Sequence, residues 1–276
     1  MQLDNIFEVQ TLMKDMAPKE EKESKEVKEE KEVQKVQGQI LILDVETTGL
    51  PPRGCEPTEE TCHLWPHVTQ LSAVLYDTEV NCIVSHINYY VKIPTDIAIP
   101  EIVTQITGID VHVCAKLGLP IQDVLLSLYE MYSECDCMVA HNYAFDSKML
   151  MVEMLRNRYA LPPYARSMFL ASIPPHICTM EDNNMLCKIW HTNAKTGSRF
   201  IKFPRLSELY ERIFGRSPEP YGLHNSMVDT LICYRCFLFT EYDALIPESD
   251  FLGTVELFKQ PGLRPSYSVA SRLRKR

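Results

Sequence analysis

From residue 40 onward the apolar positions fall into a readable order. Residues 40–43 are an unbroken apolar run ending in an acid, which predicts a buried central strand. Residues 67–76 and 82–93 read as strands joined by a turn-like stretch at 77–81. Ile121, Val124, Leu125, Leu128 and Met131 recur at helical spacing and predict a helix over 121–132. Residues 137–140 read as a short buried strand and 177–179 as a last one. Helices are expected over 145–159, 206–214 and 227–239. Three early strands followed by alternating helix and strand predict an α/β domain: a mixed sheet of about five strands flanked by helices. No internal repeat is visible.

The two ends look different. Residues 19–35 alternate Lys and Glu with almost no apolar residues, as in a solvated helix or a disordered tether. Ahead of them, Leu3, Ile6, Phe7, Leu12, Met13 and Met16 would form a short apolar face, either a docking helix for a protein partner or a frayed terminus. The tail carries Arg264, Arg272, Arg274, Lys275 and Arg276 with no acid after residue 260. This tail would suit nucleic acid, an acidic partner, a nuclear address or no role at all. The expected organisation is a charged extension over 1–38, a catalytic domain over 39–245 and a C-terminal extension over 246–276.

Net charge is −9. That argues against a general basic surface for long duplexes. No run of about 18 apolar residues exists, so no membrane span is expected. The first residues lack the basic-then-apolar pattern of a secretory signal. Ten cysteines without such a signal suggest reduced thiols in an intracellular protein of cytoplasm or nucleus.

Three acidic segments carry the chemistry: Asp44-Val45-Glu46, Phe145-Asp146 and the pair His224 and Asp229. Asp44 and Glu46 are two apart, so on a strand they share a face. Carboxylates so close repel unless a cation sits between them, and Mg²⁺ or Mn²⁺ takes such oxygen ligands. Thr47-Thr48-Gly49-Leu50 follows at once, where small residues let a terminal hydroxyl or phosphate approach the backbone. Asp146 stands where a helix begins, a position that capping alone also explains. Asn142 either orients a ligand or closes the turn before that helix. His224 belongs to the loop and Asp229 to the helix after it, because five residues on a regular helix would set them apart. Four carboxylates and one histidine fit a pair of divalent metals and a general base acting on phosphodiesters.

These motifs resemble those of the DEDDh 3′–5′ exonucleases, the DnaQ-like branch of the ribonuclease H-like superfamily. Asp44 to Leu50 matches the first motif, His141 to Asp146 the second, and His224 to Asp229 the third in its histidine form. Softer echoes lie at Ile106 to Ile109 and at Phe203 to Leu206. The resemblance covers about residues 40–240. It implies a ribonuclease H-like fold and two Mg²⁺ or Mn²⁺ ions on Asp44, Glu46, Asp146 and Asp229. It implies that His224 takes a proton from water. It also implies substrate contacts at Thr47, Thr48, Leu50, Asn142 and Phe145, with Leu50 as a wedge beside the terminal base. The expected substrate is a nucleic-acid 3′ end, DNA in preference to RNA, single-stranded or frayed, releasing nucleoside 5′-monophosphates. An RNA-trimming enzyme and an inactive binding module on the same fold are the alternatives.

Two further stretches stand out. Cys55, Cys62, His63 and His67 lie in an insertion over 51–67, but their spacing fits no usual zinc finger. Residues 183–207 hold Lys188, Lys195, Arg199, Lys202 and Arg205 interleaved with Trp190, Phe200 and Phe203. That mixture suits a lip for single-stranded nucleic acid; the plainer reading is a surface loop anchored by aromatics.

Overall fold

A computed structural model describes residues 35–168 and 174–262. The apolar N-terminal face, the Lys/Glu stretch before residue 35 and the basic tail lie outside the described residues.

The first strand, β1, spans Gln39–Thr47. Antiparallel partners β2 (Val68–Asp77) and β3 (Cys82–Tyr90) follow. Helices α1 (Glu101–Thr107), α2 (Val111–Leu117) and α3 (Ile121–Tyr132) lead to β4 (Cys137–Ala140). Helix α4 (Tyr143–Asn157) and strand β5 (His176–Cys178) complete the sheet. The order is β3-β2-β1-β4-β5, with β4 and β5 parallel to β1. The mixed five-stranded sheet expected from the sequence is therefore present, with β1 at its centre.

Two short helices, α5 (Thr179–Asp182) and α6 (Asn184–Cys187), precede a separate hairpin of β6 (Ile189–Thr192) and β7 (Arg199–Lys202). Helices α7 (Leu206–Phe214), α8 (Ser226–Tyr242) and α9 (Glu248–Phe258) follow.

The alternation along β1 sorts the core into two layers. Leu41, Leu43 and Val45 pack with Val124 and Leu128 of α3 and Leu150 of α4. Ile40 and Ile42 pack with Leu209 of α7 and Leu231 and Ile232 of α8. Helix α8 is buried nearly all round, because α7 and α9 cover the side turned from the sheet. Truncating a residue such as Leu231 would cost about 2–5 kcal/mol.

The structure differs from the sequence expectation at several elements. Strand β1 runs on through Asp44 and Glu46, which stay in the ladder opposite Ser72 and Gln70. Its register shifts between Glu46 and Thr47, where the pairing to β2 slips. Helices α1 and α2 have no clear apolar period in the sequence, because α1 buries nothing fully and α2 only Cys114. Helix α9 packs Phe251 and Val255 into the α8 layer, so the folded body continues past residue 245.

Candidate active site

Asp44 and Glu46 extend the row begun by Ile40 and Ile42, so they face the layer of α8. Asp229 lies in the first turn of α8. Carboxylate oxygens of Asp44, Glu46 and Asp229 all fall within 4.8 Å of one another. Helix α8 starts there because the Asn225 side chain caps it, accepting from the amides of Met227 (3.2 Å) and Val228 (3.4 Å). Such a cap is worth about 1 kcal/mol.

Asp146 approaches from the other layer and lies outside that 4.8 Å grouping. It lies in the first turn of α4, only 1% exposed, and its Oδ1 accepts from the Val45 amide at 3.1 Å. Its carboxylate thus bridges to the strand rather than capping its own helix. The N-cap is Asn142, in a left-handed conformation with φ 72° and no side-chain cap bond.

All four acids hold their protons more tightly than isolated carboxylates, first through burial and, except at Asp229, then through one another. Burial, then repulsion from Asp146, Asp229 and Glu46, holds Asp44 well above the usual carboxylate range. Burial does the same to Asp146 against the downward pull of the Val45 amide. Glu46 is pushed up to about 8 by burial and then by Asp229. Asp229 is pushed up to about 7 by burial, although the His224 amide works the other way. Asp229 Oδ1 is buried with no hydrogen-bond partner. Among the described residues, no Lys or Arg forms an ion pair with any of the four. An oxygen-only donor set with an orphaned oxygen and no internal counter-charge fits a hard divalent cation.

His224 is an exposed loop residue with φ 65°, just ahead of α8. Its amide donates to Asp229 Oδ2 at 3.1 Å. His141 is the opposite case. It is partly buried, with Nδ1 at 3.0 Å from Thr179 Oγ1 and Nε2 at 3.1 Å from the Pro204 carbonyl. Burial pushes its pKa down to about 4, so it is a neutral strut.

The residues read as substrate contacts line the turn after β1 and the start of α4. The Thr47 hydroxyl donates to the Gly49 carbonyl at 2.6 Å, closing the turn. Thr48 is fixed to His67 through its amide (2.8 Å) and its hydroxyl (2.9 Å). Leu50 stands out beyond them, 87% exposed. Phe145 and Asn142 are half-buried at the start of α4.

The insertion over 51–67 is docked along α4. Lys148 pairs with Glu56 at 2.8 Å and Arg158 pairs with Glu59. The Arg156 guanidinium gathers the carbonyls of Cys62 (2.6 Å), Trp65 and Pro66 (2.9 Å). Cys55, Cys62, His63 and His67 are not brought together. Among the described residues, Asp44, Glu46 and Asp229 form the sole grouping with metal-ligand geometry. Cys233 and Cys236 are buried core residues of α8.

A polar seam behind the site escapes sequence reasoning. Ser226 Oγ is 2.6 Å from Ser72 Oγ, and the Ser226 amide donates to Gln70 Oε1 at 3.3 Å. Gln70 Nε2 (2.9 Å) and Ser72 Oγ (3.1 Å) both donate to Asn88 Oδ1. Asn88 Nδ2 in turn donates to the carbonyls of Phe258 and Lys259 at the end of α9. The seam fixes the start of α8, and with it Asp229, against the sheet. Its one signal in the sequence is a Gln and a Ser inside the otherwise apolar run of β2.

A family model described as an exonuclease, RNase_T, matches residues 41–237. No curated protein matches the chain. Among solved structures, Escherichia coli exonuclease I in complex with a dT13 oligonucleotide is similar, with a TM-score of 0.54 and 19% identity. That match covers 75% of this chain and 42% of the other. The zinc-bound form of the E. coli ExoI–ssDNA complex has a TM-score of 0.52 and 19% identity, over 79% of this chain and 43% of the other. The chain thus spans less than half the length of these structures, and identity at this level speaks to fold.

Proposed function

The chain belongs to this exonuclease family, and from that premise we propose that it removes nucleotides one at a time from a nucleic-acid 3′ end. The observation that carries the reading is the meeting of Asp44, Glu46 and Asp229 within 4.8 Å, at the end of the strand that Asp146 also touches. DNA is the favoured substrate, single-stranded or frayed, and the product is a nucleoside 5′-monophosphate.

Asp44, Glu46 and Asp229 would hold the cation, and Asp146 would join them through the oxygen not given to Val45. Two Mg²⁺ or Mn²⁺ ions bound there would make water a better nucleophile and stabilise charge on the leaving 3′ oxygen. His224 takes the proton of the attacking water. Its place in an exposed loop, tied to Asp229 through its amide alone, leaves the ring available to do so. The Thr47–Gly49 turn holds the terminal sugar at the backbone, and Leu50 wedges beside the last base. Partly buried His141 fixes the end of β4 and moves no proton.

The test uses 3′-labelled and 5′-labelled single-stranded DNA and RNA with Mg²⁺, Mn²⁺ or EDTA. Metal-dependent shortening from the 3′ end, crippled in His224→Ala, is the expected result. The same assay reports which sugar is preferred. Absence of cleavage on every substrate with every metal would overturn the reading in favour of a binding module.

A further inference from the structure

The β6–β7 hairpin turns its aromatic side chains outward. Trp190 is 50% exposed, Phe200 45% and Phe203, just after the hairpin, 52%. The antiparallel register sets Trp190 and Arg199 on one face and His191 and Phe200 on the other. The Arg199 guanidinium lies 5.0 Å from the Trp190 ring centroid. A two-stranded ribbon is marginally stable alone, and no residue of either strand is fully buried. Packing of the fold therefore does not account for these rings.

Charge and position narrow the occupant. Residues 183–205 contain five Lys or Arg and no acid, within a chain of net charge −9. Lys202 is committed to Glu208 at 2.6 Å, whereas Lys195 and Arg199 form no ion pair among the described residues. The hairpin leaves through Pro204, whose carbonyl is held by His141. His141 stands two residues past the last β1–β4 pair, Ile42 with Val139, just as Asp44 does on the neighbouring strand. The hairpin base is thereby fixed at the edge of the sheet that carries the carboxylates.

We propose that the β6–β7 hairpin is a stacking platform for single-stranded nucleic acid, holding the nucleotides 5′ of the one at the carboxylate site. Bases stack on Trp190 on one face of the ribbon and on Phe200 on the other, with Phe203 just beyond, so the strand passes round the hairpin while phosphates meet Lys195 and Arg199. The proposal rests on the exonuclease reading for its substrate, and it assigns a surface that reading leaves idle.

The experiment uses the full chain and a 5′-fluorescein oligo-dT of about 20 nucleotides, longer than the roughly 4–16 one platform covers. Anisotropy in EDTA gives binding without cleavage, and Mn²⁺ assays on that strand and on a trinucleotide give KM. Trp190→Ala/Phe200→Ala should weaken binding about tenfold or more and erase most of the KM preference for the long strand. Trp190→Phe should recover most of the affinity. Lys195→Glu/Arg199→Glu changes only exposed positions, so it remains informative should the aromatic pair disturb the hairpin. Its log–log salt slope should fall by about 1.4, at roughly 0.7 for each phosphate left without its cation. A wild type that binds and cleaves, beside variants with affinity within twofold of it and an unchanged salt slope, would overturn the platform and leave the exonuclease standing. Such a result would point to a protein partner for the hairpin. A wild type that cleaves nothing would overturn the exonuclease reading, and the platform would then stand or fall on the binding data.

Discussion

Helix α8 carries a charge at Asp229 near its start, half-buried with one oxygen enclosed, and a fully buried one at Arg235 further along. Arg235 is 2% exposed, yet Nη1 donates to Glu248 Oε2 at 2.7 Å and to the Tyr210 hydroxyl, and Nη2 to the Ile246 carbonyl at 2.7 Å. Phe214 and Phe251 stack on the guanidinium at 4.3 and 4.6 Å. Only its Nε lacks a hydrogen-bond partner. Asp229 has the reverse surroundings: two more carboxylates within ligand reach, no cation and an orphaned oxygen. Burying a charge is expensive in either place. At Arg235 the chain itself supplies the compensation, and the result fixes how α7, α8 and α9 pack. At Asp229 the neighbouring carboxylates supply no counter-charge, which is what the proposed cation site requires.

The sharpest way to break this contrast is to remove charge from each end in turn. Asp44→Asn should lower mononucleotide release by about a thousandfold or more. The melting temperature of its metal-free form should hold or rise, since one of several repelling charges is gone. Near-normal release would end the catalytic reading of that side. Arg235→Met should do the opposite. It removes the guanidinium that ties Tyr210, Ile246 and Glu248 together, although Glu248 keeps Arg216 and the Tyr221 hydroxyl. The change should cost about 3 kcal/mol, seen as a fall in melting temperature on the order of 10 °C. Adding Glu248→Gln should cost less in the Arg235→Met background than in the wild type, because the contact the two share is already gone.

A milder test varies pH. In the folded chain Glu46 and Asp229 titrate at about 8 and about 7. Unfolded carboxylates titrate near 4. Between those values the folded state binds more protons, so stability should fall as pH rises from about 4 toward 8. Melting scans in EDTA at both ends of that window check the sign, and saturating Mg²⁺ should flatten the slope. Asp229→Asn should shrink it as well. A site whose metal-free stability rose with pH would contradict the crowding of these acids. The smallest effect belongs to Leu50→Ala. At 87% exposure its loss should shift stability by no more than about 0.5 kcal/mol, while KM for a 3′ end rises several-fold.

Much of this is legible in the sequence. Residues 121–132, 137–140 and 206–214 end where the apolar pattern ends, because each element turns one strong face or a full apolar run to the core. Of the site, Asp44, Glu46 and Asp229 are legible from spacing, since a period of two and a loop-to-helix junction can meet at a strand end. What stays hidden depends on contacts distant in sequence. Asp146 is legible as a site residue through its motif, but its bond to the Val45 amide is not, because nothing local points it there. Arg235 passes unnoticed in an apolar helix because its partner Glu248 lies on another helix. The hairpin gives no period-two burial because both faces are exposed; its clue is the turn from Asn193 to Gly197, with Gly197 at φ 71°. Helix α9 buries only Phe251 and Val255 fully, and Pro247 ahead of it is the available start signal.

The polar seam of Gln70, Ser72, Asn88 and Ser226 has a consequence for how such a chain can vary over time. These four residues are at most 3% exposed, and each satisfies the others. Changing one alone leaves a buried donor or acceptor without its mate, at about 1–3 kcal/mol. Replacing the set together with apolar residues of matching shape removes that penalty. The four should therefore be inherited as a block, present together or absent together, even though three different elements contribute them and none belongs to the carboxylate cluster.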